Sequence, residues 1–167
     1  MIRPARPVYS QTARNGNLRR RLLAATLALS VSCGLALAHS GATGIVKQRM
    51  DAMKDIAAQM KLIGAMVRAE RDYDAAAAAA AADVIVRHAD AMLPLFPVGS
   101  NEHPSEALTV IWSDWEGFSR SAVELAASAT ALSDIAGDAT SAADIRAAFA
   151  AVGKTCSSCH EGYRKPK

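Results

Sequence analysis

Cysteine, proline and glycine are scarce in this chain of 167 residues, which has three cysteines, six prolines and ten glycines. No segment shows the alternation of apolar and polar residues that is typical of a half-buried strand. The prolines and glycines concentrate in a few places, and long stretches between them are rich in alanine, which favours helices. The scarcity of turn residues and of strand patterns therefore predicts an all-α domain with few breaks.

The sequence also lacks the residue groupings that catalysis requires. It contains no paired carboxylates for acid–base work, no nucleophile accompanied by a base and no phosphate-binding glycine loop. We therefore predict that the protein is not an enzyme.

The first 38 residues differ in composition from the rest. They contain six arginines before an apolar run, Leu22–Leu37, and no acidic residue. The run is too short for a membrane span and ends in a small-residue triplet, Ala36-Leu37-Ala38, that is typical of a cleavage site. We predict that residues 1–38 are a removed secretory signal peptide and that residues 39–167 are the mature, periplasmic domain, which does not span a membrane. Cys33 leaves a lipoprotein signal as an alternative.

The apparent basic character of the chain belongs to this leader. All 16 acidic residues follow Ala38, whereas six of the 19 basic residues precede it, so the mature domain has 13 basic residues and a net charge of −3. Excess positive charge is the electrostatic footprint of nucleic-acid binding. No nucleic-acid partner is therefore expected.

The spacing of apolar residues predicts four helices in the mature domain. The first covers about residues 43–69. The second begins near Asp74, includes the alanine run and stops at Pro94. After a loop, the third is expected from Ser105 to Gly137, because glycine commonly ends helices, and the fourth follows Thr140 and continues through Tyr163. Four helices with short connections predict an antiparallel four-helix bundle.

The last helix carries the motif with the most chemical information, Cys156-Ser157-Ser158-Cys159-His160. A C-x-x-C-H string is an attachment motif for covalent haem c. Both cysteines fall on the apolar stripe of the helix, so we expect the two thiols and the imidazole to project together into the space between the helices. The sequence predicts one haem c held by thioethers to Cys156 and Cys159, with His160 as the proximal iron ligand.

Three other interpretations of the two cysteines compete with haem attachment. A redox-active dithiol usually lies in a βαβ context, which the helical pattern does not provide. A structural zinc site needs four ligands, and His39, His88 and His103 are scattered along the chain. A disulfide across so short a loop would constrain the unfolded chain very little.

The sequence resembles the class II c-type cytochromes, the cytochrome c' family and its low-spin relatives, over residues 43–165. Besides the C-terminal motif, the matching strings lie in the order that the family has: Arg49 with Met53, Leu95-Phe96-Pro97, Ile111-Trp112 with Phe118, Val152-Gly153-Lys154, and Tyr163-Arg164. The resemblance implies that Arg49 lies near a haem propionate and Arg164 on the proximal side.

The resemblance also implies that Met53 faces the distal side of the haem. In low-spin members a methionine at this position ligates iron, whereas in five-coordinate members the residue there only crowds an empty side. The strings Met53-Lys54-Asp55 and Tyr73-Asp74 are more similar to the low-spin branch. Met53 is also where a core methionine would pack, and Met60 on the same stripe is an alternative ligand.

We therefore expect a one-electron carrier with His160 and Met53 as ligands, which exchanges electrons with partner proteins. The alternative is a five-coordinate haem module that binds nitric oxide or carbon monoxide, and the third possibility is a dithiol oxidoreductase. A homodimer through the first two helices is implied by the resemblance.

Overall fold

The computed structural model describes residues 41–166, so the predicted signal peptide, including Cys33, lies outside the described residues. Four long helices account for most of the described chain: α1, Gly44–Val67; α2, Ala75–Asp90; α3, Trp115–Asp138; and α4, Ala142–Tyr163. A 3₁₀ turn, Leu93–Leu95, and one helical turn, Val110–Ser113, lie in the connection between α2 and α3. The β-structure within residues 41–166 is one isolated bridge, between Ala107 and Arg164.

Each long helix packs against two others and so closes a four-helix bundle. α2 contacts α1 and α3, and α4 contacts α3 and α1. The core contains large side chains from every helix, among them Ile63, Ile85, Leu132 and Ile145, all fully buried. The predicted all-α four-helix bundle is thereby confirmed. Across residues 41–166, no helix is both long enough and apolar enough to cross a membrane.

Two of the predicted helix starts are correct in detail. The Asp74 carboxylate accepts a hydrogen bond from the Ala77 amide at 3.0 Å and caps α2. Ser141 and Asp144 form a reciprocal capping box at the start of α4, in which the Asp144 carboxylate accepts from the Ser141 amide at 2.9 Å. The alanine run of α2 forms a thin face whose buried members lie against the neighbouring helices.

The predicted bounds of the third helix are wrong at both ends. α3 begins at Trp115, because the Asp114 carboxylate accepts a hydrogen bond from the Gly117 amide at 3.2 Å and caps the helix there. At the other end the helix passes through Gly137 and stops at Asp138, because the backbone at Thr140 already belongs to the capping interactions of α4. Trp115, the first residue of the helix, is 40% exposed.

Helices α1 and α4 approach closely at Gly64. A Cβ atom at this position would lie 3.2 Å from Cζ of Phe149 on α4 and 2.9 Å from the Arg68 guanidinium. The first distance is shorter than an ordinary van der Waals contact, and the aromatic ring is held in the packed interior between the helices. Gly64 is therefore the residue that permits this helix pair to close.

Replacing Gly64 with valine tests this close approach. We expect Gly64→Val to lower the free energy of unfolding by about 1–3 kcal/mol, because the added methyl groups displace Phe149. Chemical denaturation followed by circular dichroism measures the change. Gly137→Val is the matched control: nothing lies within 4 Å of a Cβ there, so the stability should be unchanged or slightly higher. Equal losses in both variants would contradict the assignment.

Candidate haem site

Cys156 and Cys159 lie one helical turn apart on the inward side of α4. Both are half-buried, both pack against the apolar core, and neither is in a disulfide. Burial raises the pKa of both thiols, and the nearby Cys156 raises the pKa of Cys159 further. A raised pKa lowers the thiolate fraction that redox exchange needs, which is unfavourable for a dithiol oxidoreductase. Two unpaired thiols on one face, followed at once by an imidazole, are the donor set that haem c requires.

His160 lies at the edge of this buried face. It is exposed and lines an open surface depression with Ser157, Glu161, Arg164 and neighbouring residues. The expectation that it projects inward together with both thiols is correct for the thiols only, because each residue turns a helix by about 100° and so separates His160 from Cys159. Within residues 41–166, no group of three or more His, Cys, Asp or Glu side chains could hold a metal ion.

Met53 lies half-buried on the inward stripe of α1 and packs against the same core as the two cysteines. Its level relative to α4 follows from the close approach at Gly64. Gly64 comes eleven residues after Met53, and Phe149 comes eleven residues before His160. Because the two helices are antiparallel and have the same rise per residue, Met53 and His160 lie at about the same level along the bundle. The other candidate, Met60, lies about 10 Å further along α1.

Arg49, one turn before Met53, is buried at 6% exposure. Its Nε donates to the Leu95 carbonyl at 2.5 Å, and its Nη1 donates to the Ser100 carbonyl at 2.8 Å and to the Ser105 hydroxyl at 3.5 Å. Its Nη2 donates to the Ser100 hydroxyl, and the guanidinium lies 4.1 Å from the centre of the Phe96 ring. Burial lowers the pKa of Arg49. The buried charge is thus compensated by neutral oxygens and an aromatic face in the connection between α2 and α3.

Arg164, one turn after His160, forms an ion pair that the sequence did not reveal. Its Nε donates to the Glu106 carboxylate at 2.7 Å, and Arg164 also forms the backbone bridge with Ala107. The Lys165 amide donates to the Glu106 carbonyl at 2.8 Å. Glu106 lies in an irregular segment, where no periodicity marks a residue as a partner.

Tyr163 fixes the end of α4 to the start of α3. Its hydroxyl donates to Asp114 Oδ2 at 2.6 Å, and its ring packs edge-on against Phe118 with the centroids 5.4 Å apart. A side chain at Gly117 would overlap both the hydroxyl and the carboxylate. Hydrogen bonds from Tyr163 and from the Gly117 amide lower the pKa of Asp114, and the hydrogen bond to Asp114 raises the pKa of Tyr163 to about 12.

The Tyr163 hydrogen bond predicts a loss of stability in alkali. A raised pKa in the folded state means that the hydroxyl stabilises the fold fully below the ordinary tyrosine pKa of 10.0, and that this contribution is lost as the pH rises towards about 12. We expect Tyr163→Phe to lower the melting temperature at neutral pH by a few degrees. The variant should also show a smaller fall in melting temperature as the pH rises from 10.0 to about 12. Thermal unfolding at a series of pH values measures both effects.

The control for this experiment is Tyr73→Phe. The Tyr73 hydroxyl donates to the neutral Ala136 carbonyl at 3.1 Å. This variant should therefore keep the part of the alkaline fall in melting temperature that the Tyr163–Asp114 pair causes. An alkaline decline of the same size in Tyr163→Phe and in the unmodified protein would refute the assignment.

The positions of Cys156 and Cys159 in the motif predict that haem is attached through both thiols. We expect the double variant Cys156→Ser/Cys159→Ser, produced together with a haem-maturation system, to carry no covalent haem, and each single variant to keep haem through one remaining thioether. The mass of the denatured polypeptide measures attachment. Cys33→Ser, outside the motif, should attach haem normally, and covalent haem in the double variant would overturn the prediction.

Comparisons with known proteins point to one family. The family model described as Cytochrome C' matches residues 44–164. Cytochrome c-556 of Agrobacterium fabrum is 36% identical over 126 residues, which cover 75% of this chain and 84% of that protein. The solved structure of cytochrome c' from Rhodopseudomonas palustris superposes with a TM-score of 0.69 at 29% identity, covering 75% of this chain and 99% of its own.

A third relative is described with a ligand. The structure of a ferrous variant of cytochrome c' from Alcaligenes xylosoxidans with bound NO superposes with a TM-score of 0.65 at 30% identity, covering 74% of this chain and 94% of its own. The match to the family model starts with α1 and ends directly after α4. The predicted haem c cofactor and the resemblance to the cytochrome c' family are confirmed, since Cys156 and Cys159 fit the attachment motif of a family whose members carry covalent haem c. The chain belongs to the cytochrome c' family.

Proposed function

We propose that the protein is a periplasmic one-electron carrier in which His160 and Met53 would ligate the haem iron. Family membership establishes the coarser statement, a haem protein that carries electrons or binds a gas. The finer statement rests on one observation, the common level of Met53 and His160 along the α1–α4 pair.

Several features of Met53 support its role as ligand. The Gly64–Phe149 contact aligns Met53, rather than Met60, with the residue that follows the second cysteine. Met53 is half-buried against the core that also contains Cys156 and Cys159, so its thioether belongs to the same apolar environment as the attachment thiols. The side chain is long and flexible enough to adjust to a partner atom.

The residues around the two proposed ligands have separate roles in the proposed electron transfer. When bound, haem supplies a one-electron iron couple, and histidine–methionine ligation raises its potential. Cys156 and Cys159 hold the group covalently, so that it is not lost to competing binders. The core packed behind them limits access of water. The exposed surface near His160, with Arg164 and Lys165, is one that a redox partner protein can approach.

Binding of a small gas is the second candidate function. The relative described with bound NO supports it. In that case Met53 packs beside the iron without ligating it, as a gap-filling core methionine. The two functions thus differ in whether one thioether reaches the iron.

The periplasmic location and the partners are part of the same proposal. The location rests on the composition of residues 1–38, in which six arginines precede an apolar run and a small-residue triplet. Electron transfer requires protein partners, and the resemblance adds a homodimer through α1 and α2.

Replacing Met53 tests the ligand assignment. We expect the reduced, unmodified haem protein to show sharp, split visible bands that carbon monoxide does not change. Met53→Ala should show a broad high-spin spectrum that shifts with carbon monoxide, because the sixth position is then open. Visible spectroscopy of the purified holoprotein measures both.

Met60→Ala is the matched control, since it removes a half-buried methionine from the same stripe of α1. This variant should keep the split bands. A low-spin spectrum that survives in Met53→Ala but disappears in Met60→Ala would assign the ligand to Met60. A high-spin, carbon monoxide-reactive spectrum in the unmodified protein would favour gas binding instead.

A further inference from the structure

The connection between α2 and α3 contacts the two helix segments that carry the proposed ligands. We call residues 95–109 of this connection the strap. On its first side the strap accepts all the hydrogen bonds of the Arg49 guanidinium described above, at Leu95, Ser100 and Ser105. Arg49 lies one turn before Met53 on α1, so this side of the strap is fixed to the turn that precedes the proposed distal ligand.

The second side of the strap is fixed to the end of α4. The Leu108 amide donates to the Tyr163 carbonyl at 3.0 Å, and the Lys165 amide donates to the Glu106 carbonyl at 2.8 Å. The Arg164–Glu106 ion pair reinforces this backbone pairing. Arg164 lies one turn after His160, so this side of the strap is fixed to the turn that follows the proposed proximal ligand.

Ser105 joins the two sides. It is buried at 7% exposure, and its hydroxyl accepts from the Ala107 amide at 3.2 Å as well as from Arg49. Its carbonyl accepts from the Lys165 ammonium at 3.1 Å. The direct α1–α4 contact at Gly64 is eleven residues from Met53, which corresponds to about 16 Å along the helix. Met53 and His160 therefore lie between that contact and the strap.

We propose that the strap is a positioning element that holds the Met53 turn of α1 at a fixed separation from the His160 turn of α4. The strap, rather than Met53 alone, sets how firmly the distal side of the haem is closed. The effect of the strap on the distal side of the haem rests on the function proposed above, whereas the joint fixing of α1 and α4 does not. Ser100 on the first side and Glu106 on the second are positioning residues that act through Arg49 and Arg164.

Two variants test the two sides of the strap separately in the haem-loaded protein. Ser100→Ala removes an acceptor of the buried guanidinium, and Glu106→Gln removes the ion pair. We expect Ser100→Ala to increase the rate of carbon monoxide association with the ferrous protein about tenfold, the change that corresponds to one hydrogen bond to a charged group. Because its ion pair is partly exposed, Glu106→Gln should increase this rate only about twofold.

Amide hydrogen exchange provides a measurement that does not depend on Met53 ligation. Each variant should lower the protection of peptides from both the first turns of α1 and the last turns of α4. Ser100→Thr, which keeps the hydroxyl, should restore both readouts. Ser133→Ala is the matched control, because the Ser133 hydroxyl links α3 to α2 through Ala79 and Asp83, at 3.3 Å and 2.6 Å, away from the strap.

The outcomes separate the strap from the ligand assignment. Faster carbon monoxide binding together with joint loss of protection in α1 and α4 supports the whole proposal. If each variant loosens only the helix that it contacts, or neither differs from Ser133→Ala, the strap does not couple the two helices and the proposal is wrong. If the unmodified protein is already high-spin, the effect of the strap on the distal side of the haem is overturned with the proposed function, and the exchange data alone decide the joint fixing of α1 and α4.

Discussion

The close approach of α1 and α4 at Gly64 is the constraint on which the geometry of the site depends. An antiparallel helix pair has one free variable along its length, the offset between the two chains, and a single tight contact determines it. With Gly64 against Phe149, the level of every other residue on the two helices follows from the rise per residue. That offset brings Met53, and not Met60, level with the residue that completes the attachment motif.

The buried guanidinium of Arg49 imposes order on a segment that has little regular structure of its own. A cation in an apolar interior must be compensated, and carbonyl oxygens of an irregular backbone are available because no helix or sheet uses them. The connection between α2 and α3 supplies those oxygens at Leu95 and Ser100. The electrostatic requirement of one α1 residue therefore determines the path of a segment that then reaches the end of α4.

Much of the fold and the attachment site follows from local rules, whereas the surroundings of the site do not. The helix faces and the capping residues Asp74 and Ser141 obey periodicities and spacings within one segment, and the C-x-x-C-H motif is equally local. The hydrogen bond from Tyr163 to Asp114 and the pairing of Arg164 with Glu106 join residues 49 and 58 positions apart. No local pattern marks Glu106 as a partner of Arg164 or Asp114 as a partner of Tyr163, because these pairs form only when the end of α4 lies beside them.

The difference between the packed helices and the contacts outside them also bears on how one fold supports two functions. A carrier and a gas binder of this family need the same bundle and the same thioethers, and they differ in the occupancy of one coordination position. The ratio of molecules with this position occupied to molecules with it open is set by the free-energy difference between the two states, and a change of a few kcal/mol reverses it. Contacts within the core are poorly suited to adjust it, because changing them alters the stability of the whole bundle. Contacts such as those of Ser100 and Glu106 involve residues outside the four long helices and lie about one helical turn from Met53 and His160. Variation there can therefore change the separation of α1 and α4 while the fold is kept.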